Sequence, residues 1–351
     1  MNGVAVSSPW ELFRVEALRG TAVSVRFPAS MALFVVLLVE VLFFLSTAER
    51  FATADNVANI IRHSGEIGLL ALAVMPVILA GGIDLSVGAL LGLCAVLFGV
   101  FTHDWQLGTA VSVLLTLGAG AAAGGINAAL VTRLRLPPLI VTLGTLSLFR
   151  GLAEAITHGT KTYGNFAPEV ATFGSARWLG LPVQGWLFLA VAVAIWFLVH
   201  RTVLGRSWRA IGFSPEGAHY AGLPVARRVA WTYVQAGLIA GVAAVLFTAR
   251  LNQARADAGT GYELAAITAV VLGGTSIFGG IGSVHGTVMG IAAIAILTNG
   301  TGRIPAVFKA GIGTELGSLL TGVLLLVALA SGALTKALSA RRAGKQSLAT
   351  S

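Results

Sequence analysis

At 351 residues, 56% hydrophobic and 11% charged, with a mean hydropathy of +0.87, the chain is too apolar for an ordinary soluble globule. A bilayer core takes about 20 apolar residues per helix, so this length has room for roughly ten spans. The net charge of +9 would suit nucleic acid, but its arginines and lysines stand in short clusters between apolar runs. That is the positive-inside pattern of a membrane protein, and no nucleic-acid partner is expected.

The N-terminal segment 1–27 carries Arg14, Arg19 and Arg26. Within it Ser8-Pro9-Trp10-Glu11 reads as a helix start with proline at the first position. Trp10, Phe13, Ala17 and Leu18 share one face, as in a short interfacial helix. No cleavable signal peptide is expected, because the first apolar run begins late and is long enough to span. Candidate spans follow at 28–48, 64–80, 86–102, 107–132, 138–157, 184–200, 229–250, 264–281, 284–302 and 316–335. With the N-terminus cytoplasmic, this even count puts Arg133 and Arg135, the arginine-rich connection 201–228 and the basic tail 336–351 on the cytoplasmic side. Segment 158–183, with His158, Lys161, Tyr163, Asn165, Pro168 and Glu169, falls outside. The expected architecture is an all-α polytopic membrane protein with one transmembrane domain over 28–335.

Two glycine-rich breaks interrupt the apolar runs. The first is Gly81-Gly82-Ile83-Asp84-Leu85-Ser86-Val87-Gly88. An aspartate is expensive in hydrocarbon, and paired glycines disfavour a continuous helix. Asp84 fits either a cap for the following helix or a contact for a permeating solute, and the two are compatible. The second break runs from Gly273-Gly274-Thr275-Ser276 to Gly279-Gly280-Ile281-Gly282-Ser283. Broken helices at such places mark the solute path in many transporters; tight turns and close-packing seams fit the composition equally. Cys94, the single cysteine, lies in an apolar run and reads as a packing residue.

Catalytic residues are not expected. There is no Gly-x-x-x-x-Gly-Lys-Ser/Thr phosphate loop, no metal-ligand spacing among the histidines and no convincing nucleophile elbow. Polar residues within apolar runs are functional by default in a membrane; here they are Glu40, Glu66, Asp84, Asn127, Arg150, Glu154 and His285. Arg150 and Glu154 are four apart and are expected to pair, while Glu40 and Glu66 suit positions near the interfaces. In the connection Gly205-Arg206-Ser207-Trp208-Arg209-Ala210-Ile211-Gly212, a short helix is stopped by Gly212 and Pro215, with Glu216 following. Exposed apolar residues beside its arginines favour a protein partner over anionic lipid.

Four blocks resemble the permease subunits of bacterial ATP-binding cassette (ABC) importers for ribose and related sugars. They are Gly81–Gly88, Pro137-Pro138-Leu139-Ile140-Val141-Thr142-Leu143-Gly144-Thr145, Gly205-Arg206-x-x-x-Ala210-Ile211-Gly212, and Gly261-Tyr262-Glu263-Leu264 through Val271-Leu272-Gly273-Gly274-Thr275-Ser276. They cover about 64 to 302 in family order. The resemblance implies a dimeric pore in the bacterial inner membrane, with an identical or related second permease, fed by a periplasmic sugar-binding protein. Two cytoplasmic ATPase subunits would drive it and carry the ATP and Mg, so no cofactor is expected on this chain. The coupling loop would use Gly205, Arg206, Trp208, Arg209, Ala210, Ile211, Gly212, Pro215 and Glu216; the path would use Gly81, Gly82, Asp84, Ser86, Gly88, Asn127, Thr142, Thr145, Gly273 and Gly274. Ser214 stands where asparagine is usual and Gly217 where alanine is usual, which points to a matched ATPase. An ion-coupled secondary transporter, with Asp84 or Glu154 as the ion carboxylate, and a membrane scaffold without transport are the competing readings.

Overall fold

The computed structural model describes residues 29–313, 315–327 and 330. The expected interfacial helix within 1–27 and the basic tail 336–351 lie outside the described residues. The helices are α1 (Ala29–Thr47), α2 (Ala54–Leu79), α3 (Val87–Gly99), α4 (Thr109–Thr132), α5 (Pro138–Ile156), α6 (Pro168–Ser175) and α7 (Val183–Arg201). They continue as α8 (Val203–Phe213), α9 (Pro215–Tyr220), α10 (Val225–Leu251), α11 (Tyr262–Leu272), α12 (Val284–Thr301), α13 (Pro305–Ala310) and α14 (Glu315–Val327). A π turn at Val100–Asp104 prolongs α3. Two short antiparallel pairs complete the fold: β1 (Tyr163–Gly164) with β4 (Gln253–Ala254), and β2 (Arg177–Trp178) with β3 (Leu181–Pro182).

Among the described residues, seven helices are long and apolar enough to cross a membrane: α2, α3 with its π turn, α4, α5, α7, α10 and α12. Leu33–Thr47, α11 and α14 are shorter apolar helices. The second span expected at 64–80 starts ten residues earlier. The Thr53 hydroxyl accepts from Asn56 N at 3.3 Å, and Asp55 sits favourably in the first turn.

The span expected at 264–281 is not one helix. α11 has 11 residues, about 16 Å at 1.5 Å per residue, roughly half a hydrocarbon core. The loss is at its C-terminal end, where the helix stops at Gly273, packed backbone to backbone on Gly286. After α10 ends at Asn252 in a left-handed conformation, residues 253–261 double back along α3. β4 pairs with Tyr163 and Gly164, the carbonyls of Ala256 and Ala258 lie against Gly92, and that of Gly259 against Gly88. Gly88, Gly92 and Gly99 fall on one face of α3 by their spacing; each leaves room for this segment or, at Gly99, for the Tyr163 ring. Irregular backbone at membrane depth is tolerated only where protein buries it or a cavity hydrates it.

The core is formed by α2, α3, α10 and α11, with Leu69–Leu79 sealed from solvent. α4 crosses α10 through glycines: side chains at Gly120, Gly124 or Gly237 would run into the facing backbone, a close approach that favours membrane helices. α1, α5 and α7 turn large apolar residues such as Leu42, Ile140 and Phe197 outward, as lipid-facing helices do. Glu66 is enclosed by protein. It is fully buried and accepts from Arg250 Nε at 2.7 Å, tying α2 to the end of α10. Arg250 is 9% exposed, so removing one partner strands a buried charge. Glu66→Leu is expected to destabilise the protein by about 3–5 kcal/mol, and the double replacement with Arg250→Leu to recover most of that. Thermal unfolding in detergent checks this; equal losses in single and double variants would contradict it.

Candidate functional site

The first break is short and fully ordered by side chains. Gly81 has φ +85°, open to glycine at little cost. Asp84 Oδ1 accepts from the backbone N–H of Ser86 at 2.9 Å and from its hydroxyl at 2.6 Å. Asp84 therefore closes an Asx turn ahead of α3 and does not itself cap the helix. The Ser86 hydroxyl also accepts from Asn127 Nδ2 at 2.8 Å, and Thr142 donates to the Ile83 carbonyl at 3.2 Å. Thus α4 and α5 each send one polar side chain into the break. Asp84, Ser86, Asn127 and Thr142 are all buried. Thr145, one turn along α5, donates to Val141 and Thr142 carbonyls of its own helix instead.

Two buried polar atoms here have no protein partner: Asn127 Oδ1 and Tyr233 Oη. Tyr233, on α10, was not singled out from the sequence. A Cβ at Gly82 would lie 2.6 Å from its hydroxyl, so that glycine makes room for a tyrosine distant in sequence.

The second break meets the first. Gly274, Gly279 and Gly280 all have positive φ, and Gly273 packs backbone to backbone on Gly286. The N–H of Gly280 donates at 2.9 Å to the carbonyl of Leu79, the last residue of α2, satisfying a group left over at that helix end. Gly212, at the end of α8, lies directly on this contact. A side chain there would run into the Leu79 carbonyl oxygen and the Gly280 N–H, and a Cβ at Gly279 would stand 2.9 Å from both the Gly212 and Gly81 Cα atoms. Three glycines from three segments therefore share one point.

α8 is fixed to the bundle by its own side chains. Trp208 and Ile211 are buried, not exposed as the sequence suggested, and the Trp208 indole donates to the Arg228 carbonyl at 2.9 Å. Gly205 presses on the Val199 backbone. Arg209 donates to the Val199 carbonyl at 2.9 Å and to His200 Nδ1 at 3.2 Å. Burial lowers the Arg209 pKa from its usual value through desolvation, yet a guanidinium remains charged. The other His200 nitrogen faces the N–H of Val284, first residue of α12, at 3.4 Å. A neutral imidazole has one acceptor nitrogen, so only one of these two donors is satisfied at a time. Among the residues that α8 and α9 expose are Val203, Arg206, Ala210, Phe213, Glu216, His219 and Tyr220; Phe213 and Tyr220 are 69% and 88% exposed. The Ser214 hydroxyl accepts from Gly217 N at 3.0 Å and starts α9, with Pro215 in its first turn.

Arg150 does not pair with Glu154. Its Nη1 reaches the carbonyls of Ala256 and, at 2.9 Å, Ala258, so the guanidinium supports the doubled-back segment. Beside it the Glu263 carboxylate lies against Gly88 with Oε2 buried and without a protein partner. Spacing alone pointed Arg150 along its own helix; only the tertiary path of 253–261 redirects it. Among the described residues no group of histidines, cysteines and carboxylates could hold a metal ion.

The Asp84 network makes a clear stability prediction. Asp84→Asn keeps an acceptor oxygen for both Ser86 donors and is expected to unfold within a few degrees of the parent. Asp84→Leu and Asn127→Leu each strand buried polar groups and are expected to lose about 1–3 kcal/mol. Melting curves of the purified variants decide; an Asn variant as damaged as the Leu variant would show that charge, not acceptance, matters.

Residues 56–329 match the family described as the branched-chain amino acid transport system / permease component. The chain is 36% identical over 316 residues to the autoinducer 2 import system permease protein LsrD of Photorhabdus temperata, covering 86% of this chain and 90% of that protein. It is equally similar to the protein of that name from Escherichia coli K12, of which 91% is covered. The four-block resemblance therefore holds across the chain, and the break residues, α8 and α11 all fall inside the matched region. With its membrane-length helices and the family match over most of its length, the chain belongs to this family of transport-system permease components.

Proposed function

We propose that the chain forms the translocation path of an ABC importer for a small polyhydroxylated, sugar-like solute of the autoinducer 2 kind. The permeases named for autoinducer 2 import support the solute class. The observation that carries the mechanism is the junction of Gly81, Gly212 and Gly279. α8 and α9 offer exposed Phe213 and Tyr220 to a partner, while α8 touches both breaks through Gly212 and Phe213. A cytoplasmic ATPase dimer that moves α8 would move the ends of α2 and α12 together. A binding protein on the opposite face would deliver the solute, and a second permease, identical or related, would complete the pore. Termini on the ATPase side fit this arrangement.

Neutral polyols need hydroxyl, amide or carboxylate groups to offset lost hydration. Asp84, Ser86, Asn127, Thr142 and Thr145, with Gly81, Gly82, Gly88, Gly273 and Gly274 of the glycine-rich segments, are the proposed lining. No ATP or Mg would sit on this chain.

The test is uptake of autoinducer 2 into vesicles carrying the permease with its ATPase and binding protein. Uptake is expected to require ATP, to persist when ionophores collapse ion gradients, and to fall at least tenfold in Gly212→Val while the ATPase still binds. Uptake that follows an ion gradient without the ATPase would establish the ion-coupled alternative.

A further inference from the structure

A cavity of about 270 Å³ opens between α2 and α12, away from the break residues. The two helices run antiparallel there, since Gly68 approaches Ile291 while His63 and Thr298 line the same space. Its lining is graded. Ile67, Ile291 and Ile294 form the deep part; His63, Thr298 and Asn299 lie nearer the ends of the helices, with Ile60 beside His63.

The polar end has chemistry left over. Asn299 Oδ1 is buried with no protein partner and requires a donor. Arg250 Nη1 donates to His63 Nδ1 at 3.2 Å, which leaves the imidazole proton on Nε2 as a donor. Charge is also unbalanced at this end. Arg250 is matched by Glu66, whereas Arg62, the next residue to His63, makes only a 3.4 Å contact to neutral Asn59 and has Nε buried without a partner.

We propose that this cavity binds one anionic phospholipid with a hydroxylated headgroup, its acyl chain against the isoleucines and its headgroup at His63 and Asn299. The deep apolar part excludes a free sugar, which would strand its hydroxyls there. The polar end disfavours a purely apolar helix from a second copy, which would leave Asn299 Oδ1 unsatisfied. A phosphate accepts from His63 Nε2 and meets the excess positive charge; a glycerol headgroup supplies the donor for Asn299. The inference is independent of the transport reading, because it concerns a cavity that shares no residue with the proposed path.

Native mass spectrometry of the full chain in detergent, titrated with phosphatidylglycerol or phosphatidylcholine, tests this directly. The parent protein is expected to retain one phosphatidylglycerol at least tenfold more tightly than phosphatidylcholine. Ala295→Phe, which fills the cavity, should abolish that retention, and Arg62→Gln should remove the headgroup preference while leaving weak lipid binding. Melting temperature, read alongside, separates lost lipid from lost fold, and Ser64→Phe serves as a second filling variant if Ala295→Phe does not fold. Equal retention of both lipids by the parent, or retention unchanged in a folded filling variant, would overturn the proposal. So would a filling variant that abolishes self-association and leaves lipid binding intact.

Discussion

The hydrogen bond from Gly280 to the Leu79 carbonyl is the constraint from which the arrangement of the breaks follows. A helix that stops in apolar surroundings leaves carbonyls that water cannot reach, and each must find a donor in the protein. α2 ends this way, and its last carbonyl takes its donor from a segment some 200 residues later. That donor is available only because Gly279 and Gly280 hold positive φ. The same bare backbone then admits the Cα of Gly212, so α8 rests on the joint itself. Bulk at any of the three glycines would separate segments that the hydrogen bond requires to be close.

α3 shows the same logic along its length. Its glycine face admits the doubled-back segment 253–261, whose carbonyls would otherwise be unmet, and Arg150 supplies donors to two of them. An isolated arginine in hydrocarbon is costly, and so is a bare carbonyl. Placed together they offset one another. α11 can then begin partway through the bundle, giving this chain a short helix beside the break.

Local properties were readable from the sequence, and meetings between distant segments were not. Most long helices fall within a few residues of the apolar runs, because a hydrophobic run of bilayer length permits little else. Asp84 was legible as special because an acid between paired glycines violates helix and membrane preferences at once. Its partner Asn127 was legible only as a polar residue in an apolar run, and Tyr233 not at all, since a single tyrosine in a span carries no such conflict. The 264–281 run was misread as a span because its hydropathy ignores Gly273-Gly274, and nothing local announces that the preceding loop folds inward. Arg150 and Glu154 have ideal helical spacing, yet the carbonyls of Ala256 and Ala258 outcompete a partner on the same helix. Trp208 and Ile211 turn inward, while Phe213 and Tyr220 stay exposed.

The ties at the junction are individually small. They are the Gly280–Leu79 bond, the Trp208 indole on the Arg228 carbonyl, Arg209 on the Val199 carbonyl, and a His200 that can serve Arg209 or Val284 but not both. A hydrogen bond of this kind contributes about 0.5–1.5 kcal/mol net, well within the differential affinity a partner protein can supply for one of two states. Glycine-to-glycine contacts add little side-chain interlock to resist sliding. Meanwhile Asn127 Oδ1 and Tyr233 Oη remain unpartnered beside the break, so a displaced arrangement that satisfies them gains back what the broken ties cost. Half-met and unmet polar atoms thus stand together around a shared glycine contact.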